Sequence, residues 1–273
     1  MGAAAAGGGR CRFVPPVAAL VSPRLSTKKI LCPNCGATAK GRYCATCGQD
    51  NQLERLDARA VLLDAVQNFV NWDSALMRTL RGLAVAPGSV ALDYVRGKRK
   101  SYVAPARLCL ITLALWLLAT RWLGIDPLAT SGLELKTVGD APDESTRVAA
   151  ELREFLTRHL DLLLYLSLPL RALVLKQLFR RKPFNVAECF VLVLYIASFG
   201  FLVAIALSPL MALEPRLWMA LRQALAFAWS VWAARTFFEV GWGSALWRMA
   251  VATLLHMIGT GLIMLAVALP FVL

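Results

Sequence analysis

An all-α polytopic membrane bundle of about five transmembrane helices, headed by a small N-terminal β ribbon, is the fold class this sequence predicts. Three observations carry that expectation. The 273 residues are 58% hydrophobic and only 17% charged, with a mean hydropathy of +0.57, whereas soluble domains run near 45–50% apolar and roughly 25% charged. The long apolar runs fall after residue 105, while residues 1–104 hold 15 Lys/Arg against 6 Asp/Glu. Four of the seven cysteines form two Cys-x-x-Cys-Gly units. This balance excludes a disordered chain, a collagen and a disulfide-rich secreted module.

Residues 1–29 read as a disordered N-terminal segment, Ala/Gly-rich at first and then interrupted by Pro15, Pro16 and Pro23. A signal peptide is the rival reading; the short, proline-broken apolar stretch and the downstream thiols argue against it. Residues 30–50 hold Cys32-Pro-Asn-Cys35-Gly and Cys44-Ala-Thr-Cys47-Gly. Each unit can fold into a knuckle whose two thiolates face one point, and two knuckles complete a closed tetrahedral site of the kind that holds one structural Zn2+. Four thiolate ligands leave no position for a reactive water, so the metal is expected to fold the segment rather than catalyse. Reduced, metal-ready thiols also place the N-terminal side in the cytoplasm.

Residues 51–104 read as amphipathic or interfacial helices. Leu53, Leu56, Ala60, Leu63 and Val66 recur at helical spacing between charged residues. Asp73 is a plausible N-cap for a second helix, and Pro87 suits the first turn of a third that ends near Gly97. The transmembrane domain is assigned to 105–273, with spans near 106–125, 160–179, 189–213, 217–238 and 249–273. About 20 apolar residues cross a bilayer, and the third and fifth runs are each 25 residues without a charge. The second, interrupted by Pro169, Arg171 and Lys176, is tested by loop charge. Asp126–His159 carries four Lys/Arg against seven acids, while Arg180-Arg181-Lys182 is basic. The positive-inside rule then makes the second run cross, giving a cytoplasmic N-terminus and an outside C-terminus.

Tyr43-Cys44-Ala-Thr-Cys47-Gly-Gln49, Leu76-Met-Arg-Thr-Leu80, Pro87-Gly-Ser-Val and Tyr94-Val-Arg-Gly97-Lys98-Arg99-Lys100-Ser-Tyr102-Val-Ala-Pro105 together resemble an uncharacterised bacterial family of zinc-ribbon membrane proteins, domain-of-unknown-function family 3667. Leu168-Pro-Leu170 and Ala187-Glu188 extend the resemblance. It implies an architecture and a bacterial inner-membrane location, and no activity. One departure is Cys189, where a histidine would be expected after the glutamate.

Four sets of residues are singled out. Cys32, Cys35, Cys44 and Cys47 are the metal ligands. Lys98, Arg99, Lys100 and Tyr102, directly before the first span, are candidates for anionic lipid headgroups, or simply a signal that fixes topology. Arg171, Glu188 and His256 are candidates for an intramembrane polar site, against the plainer readings that Arg171 snorkels and His256 bonds a neighbouring helix. Trp218, Trp242 and Trp247 fit an aromatic belt at span ends, and Trp229 and Trp232 fit packing. The sequence holds no Gly-x-Ser-x-Gly, phosphate loop or His-Glu-x-x-His, so an enzyme is not expected. The ribbon is expected to act as a docking or assembly module for a protein partner on a membrane platform. The alternative is a transporter or lipid-handling protein. Nucleic acid is not an expected partner, since Lys40 and Arg42 are the ribbon's only cations between the knuckles.

Overall fold

The computed structural model describes residues 30–39, 41–52, 55–57, 61, 74–124, 154–155 and 166–272. The N-terminal 1–29 segment, Lys40, most of the first linker helix, Asp73, most of the 126–159 loop with His159, and the start of the second apolar run lie outside the described residues.

The chain opens with a two-residue strand β1 (Ile30–Leu31) paired antiparallel to β2 (Thr38–Ala39), with Ile30 opposite Ala39 and Leu31 opposite Thr38. A bridge between Tyr43 and Asp50 frames the second knuckle in the same way. Among the described residues eight helices follow. α1 (Ser74–Val85) buries Leu83 and Thr79 on one face and leaves Met77, Arg78 and Arg81 on the other. α2 (Pro87–Val95) starts with proline in its first turn, where no N–H is needed. It is followed by Gly97 at a φ of 107°, a left-handed value suited to glycine. α3 spans Pro105–Trp122, again opened by proline. α4 (Leu168–Leu178) is short, and α5 (Val186–Ala206) follows after the basic turn.

The third apolar run is not one helix. It breaks at Ser208-Pro209, where the proline lacks the N–H that would continue α5, and a six-residue α6 (Ser208–Leu213) follows. α7 (Pro215–Phe238) and α8 (Trp242–Val272) complete the fold.

Among the described residues two helices are long and apolar enough to cross a membrane: α5, and α8 over Trp242–Val267. The expectation of five spans is corrected on that criterion. α3 is bracketed by Arg107 and Arg121, and α4 is only 11 residues long. α7 carries Arg216, Arg222 and Arg235. The two candidates differ in surroundings. Half of the α5 window is buried by its neighbours, but only 6% of the α8 window is, leaving Leu254, Leu255, Met257, Ile258, Leu262 and Leu265 exposed.

α5 is the hub: it packs against α1, α2, α3, α4, α6 and α7. The main apolar cluster lies at the ribbon-proximal end, where Phe179 stacks on Phe238 and Tyr94 meets Tyr195 edge-on. A second, small cluster of Trp116, Ala204 and Trp218 lies at the other end of α5. Trp218 is thus 1% exposed and stacked on Trp116, so packing rather than a wet interface explains it.

α1 and α2 are not a surface linker. Gly88 of α2 lies directly on α7, where a Cβ would strike Thr236 Oγ1 and the carbonyl oxygen of Ala233. Trp229 Nε1, nine residues before the end of α7, donates to the Leu83 carbonyl at 3.1 Å. The hairpin is therefore wedged into the helical body.

Candidate metal centre and the turn beneath it

The two cysteine knuckles repeat one geometry. In the first, the Cys32 carbonyl accepts from Gly36 N–H and Cys32 N–H donates to Ala37, both at 2.9 Å. In the second, the Cys44 carbonyl accepts from Gly48 and Cys44 N–H donates to Gln49, both at 2.8 Å. Gly36 and Gly48 have φ of 75° and 71°, with open space around a notional Cβ. Conformation and not crowding therefore calls for glycine there.

The knuckles bring the four sulfurs within 4.8 Å of one another. Cys32 Sγ lies 3.6 Å from Cys47 Sγ, and Cys35 Sγ lies 3.6 Å from Cys44 Sγ. A tetrahedral site with metal–sulfur bonds of about 2.3 Å needs sulfurs roughly 3.8 Å apart, so the donor set fits a metal ion of that kind. Cys32, Cys35, Cys44 and Cys47 could hold such an ion. The acidity of the thiols is uneven. Cys44 is lowered to about 6 because the backbone of Cys47 and then Thr46 hydrogen-bonds its sulfur. Cys47 is lowered in spite of desolvation, by the Gln49 backbone and the Asn34 side chain. Cys35 is pushed up to about 12: the Ala37 backbone works against this, but desolvation and the other three sulfurs outweigh it.

Two side chains of the ribbon reach the basic stretch before α3. Asn34, inside the first knuckle, accepts through Oδ1 from Ser101 N–H at 3.0 Å and Ser101 Oγ at 2.7 Å. Gln49, just after the second knuckle and 5% exposed, accepts from Lys100 N–H at 2.9 Å. Asn34 also touches the Cys47 sulfur. One amide side chain therefore joins the four-cysteine cluster to the turn, the kind of outer-sphere contact that would orient a metal ligand.

The turn is tied from the other side as well. Val103 N–H donates to Thr79 Oγ1 of α1 at 3.0 Å, and Tyr195 of α5 donates its hydroxyl to the Val103 carbonyl at 2.7 Å. Lys98 Nζ pairs with Asp93 at 2.9 Å, and the Tyr102 hydroxyl donates to the same carboxylate at 3.2 Å. Burial, and after it the Asp93 charge, pushes the Tyr102 phenol above its ordinary value. Lys98 is thus partly neutralised, Arg99 is half-buried, and Lys100 is the exposed cation of the three.

Residues 73–117 match the family model described as a protein of unknown function (DUF3667). The match supports membership of the DUF3667 family. The matched segment runs from α1 through the hairpin and the basic turn into α3, so it contains the surface on which the ribbon sits. No curated protein and no solved structure matches the chain.

The third set of residues divides. Glu188 is the third residue of α5 and closes a capping box: its N–H donates to Asn185 Oδ1 at 2.8 Å and its carboxylate accepts from Asn185 N–H at 2.7 Å. Arg55 of the linker grips the same carboxylate through Nε and Nη2, at 2.9 and 3.1 Å. Arg171 and His256 are brought together elsewhere, between α4 and α8. There Ser167 Oγ lies 3.4 Å from His256 Nε2, and Arg171 is one turn further along α4. Glu239 pairs with Arg96 at 2.8 Å.

The sequence reading missed Asn34, Gln49 and Arg55. For Glu188 a signal was present: Asn185-x-x-Glu188 before an apolar run is a capping-box pattern. Arg55, 133 residues away, leaves no comparable local trace.

Proposed function

We propose that this is an integral membrane protein whose ribbon binds one structural Zn2+ and clamps the chain's own basic turn at the cytoplasmic face, making one platform for a partner protein. The observation that carries the reading is the seat of Lys100 and Ser101 on Gln49 and Asn34. α5 and α8 are the primary spans, and α7 returns the chain from the far end of α5 to the start of α8. Cations support the orientation: Lys98, Arg99, Lys100, Arg180, Arg181 and Lys182 all gather at the ribbon end of the helices. Anionic headgroups would meet Lys100 and Arg180 first. The partner's contact is the exposed part of the ribbon, where Leu31 and Tyr43 are 70% and 60% exposed. A bacterial inner membrane agrees with the resemblance noted above.

Native mass spectrometry of detergent-extracted protein tests this reading. One zinc per chain, lost in Cys32→Ser, together with a co-purifying protein that Cys32→Ser releases, is expected. Another metal, a disulfide-bonded ribbon, or partner binding indifferent to Cys32→Ser would overturn it.

A second reading, transport or lipid handling, is favoured by one observation. His256 Nδ1 is buried with no hydrogen-bond partner among the described residues, beside the Arg171 cation, an expensive arrangement in a span. Arg171→Gln should abolish bound anion while leaving membrane abundance unchanged if that reading holds. A fall in abundance would mark Arg171 as a packing residue.

A further inference from the structure

A cavity of about 150 Å³ lies between α5 and α7, in the half of the bundle away from the ribbon. Its wall is periodic. α5 contributes positions 196, 199, 200 and 203, and α7 contributes positions 222, 225, 226 and 229. Both sets follow the i, i+3, i+4, i+7 pattern of one helix face, so the cavity is a groove about 10 Å long between two helices. Gly200 makes its floor, and a Cβ there would meet nothing within 4 Å.

The lining is hydrocarbon and aromatic except at one end. Trp229 closes the ribbon-proximal end, its ring stacked on Phe199 at 4.8 Å and its N–H already given to Leu83. Apolar cavities of this size stay dry and accept hydrocarbon. At the far end stands Arg222, the one charged residue of the lining among the described residues. Its guanidinium lies 5.1 Å from the Trp218 ring centroid and 5.9 Å from that of Trp116. Those two rings are stacked on each other, so the cation is held on an aromatic platform. Along α7, Arg222 sits two turns in from Pro215, where a span approaches its headgroup region.

We propose that this groove takes up part of one acyl chain of an anionic phospholipid from the leaflet opposite the ribbon, with Arg222 holding its phosphate. The apolar run selects a chain and the terminal cation selects a headgroup. The order of the two, cation outward and hydrocarbon inward, is the order of a lipid in that leaflet. The inference rests on the membrane placement proposed above.

The test uses the full chain reconstituted with phosphatidylglycerol or phosphatidylcholine and examined by native mass spectrometry. The parent protein should retain one lipid, with phosphatidylglycerol preferred by about fivefold, the effect of one interfacial cation. Gly200→Leu should lose the lipid, and Arg222→Gln should keep a lipid but lose the preference. Phosphatidylglycerol brominated on its chain should quench the parent's fluorescence, with that quenching reduced in Trp229→Phe. This arm decides the matter even where Gly200→Leu fails to fold. Equal retention of the two lipids by the parent, undiminished retention by Gly200→Leu, or quenching indifferent to Trp229→Phe would overturn the seat while leaving the membrane placement standing. Recovery of the chain in a soluble fraction would overturn both.

Discussion

The two ends of the helical body are held by different physics. At the ribbon end, Arg55–Glu188 and Arg96–Glu239 join segments far apart in the chain, and Lys98–Asp93 ties the turn to the end of α2. Asn34, Gln49, Thr79 and Tyr195 there fix three residues of the turn, Lys100, Ser101 and Val103, by directed hydrogen bonds. At the other end Trp116, Ala204 and Trp218 form a small cluster, Arg222 rests on indole rings, and leucines of α3 and α8 stand exposed. Directed polar contacts specify a geometry in water, whereas lipid removes the hydrophobic drive between helices and leaves packing to hold them. The contrast is what the membrane placement proposed above would produce.

Metal removal should divide the ends most sharply. A structural zinc site of four thiolates supplies on the order of 10–16 kcal/mol of folding energy, so chelation should unfold residues 30–52. Hydrogen exchange should then accelerate at the ribbon and at the Lys100 and Ser101 amides, with α5 and α8 unchanged. Equal acceleration in α8 would show that the ends are not independent.

Gly88→Ala comes next. Its Cβ meets backbone and side-chain atoms of α7 that cannot retreat, and overpacking of this kind costs about 3 kcal/mol. Unfolding midpoints in detergent should fall, while zinc content stays at the parent value. A neutral result would mean that the hairpin does not press on α7.

Glu188→Ala removes one capping-box partner and strands Asn185 N–H, for about 2 kcal/mol. Arg55 is 61% exposed and can return to water, which limits the loss. Exchange should quicken at the start of α5 and leave the groove end unmoved. The smallest effect belongs to Glu239→Gly. Glu239 ends α7 at a φ of 50°, a left-handed conformation that costs a side chain about 1 kcal/mol. Its exposed pair with Arg96 contributes less than that. The variant should be at least as stable as the parent, by about 0.5 kcal/mol, in the same melts. A clear loss would give the exposed pair more weight than surface pairs carry.

The four-cysteine cluster was legible because its signal is local: Cys-x-x-Cys-Gly twice specifies two knuckles whose sulfurs converge on one point. The helical character was legible from apolar runs, but the number of spans was not. Ser208-Pro209 carries no charge, so hydropathy ran through it, although the proline itself was the stop signal. Gly88 read as part of a helix start, since nothing in its neighbours shows that α7 will lie against it. Asn34 and Gln49 were invisible for a related reason. Their partners are 67 and 51 residues away, and a single amide side chain has no periodicity to read.

The seat of the turn also sets an order of assembly during synthesis. The ligand set is complete at Cys47, long before Ser101 exists, so a metallated ribbon can be waiting when the turn emerges. Hydrogen bonds to Lys100 and Ser101 then fix the chain just before Pro105, where α3 begins. Tyr195 arrives almost a hundred residues later and closes over Val103. The ribbon thus serves as a mooring made ahead of the helix that needs it.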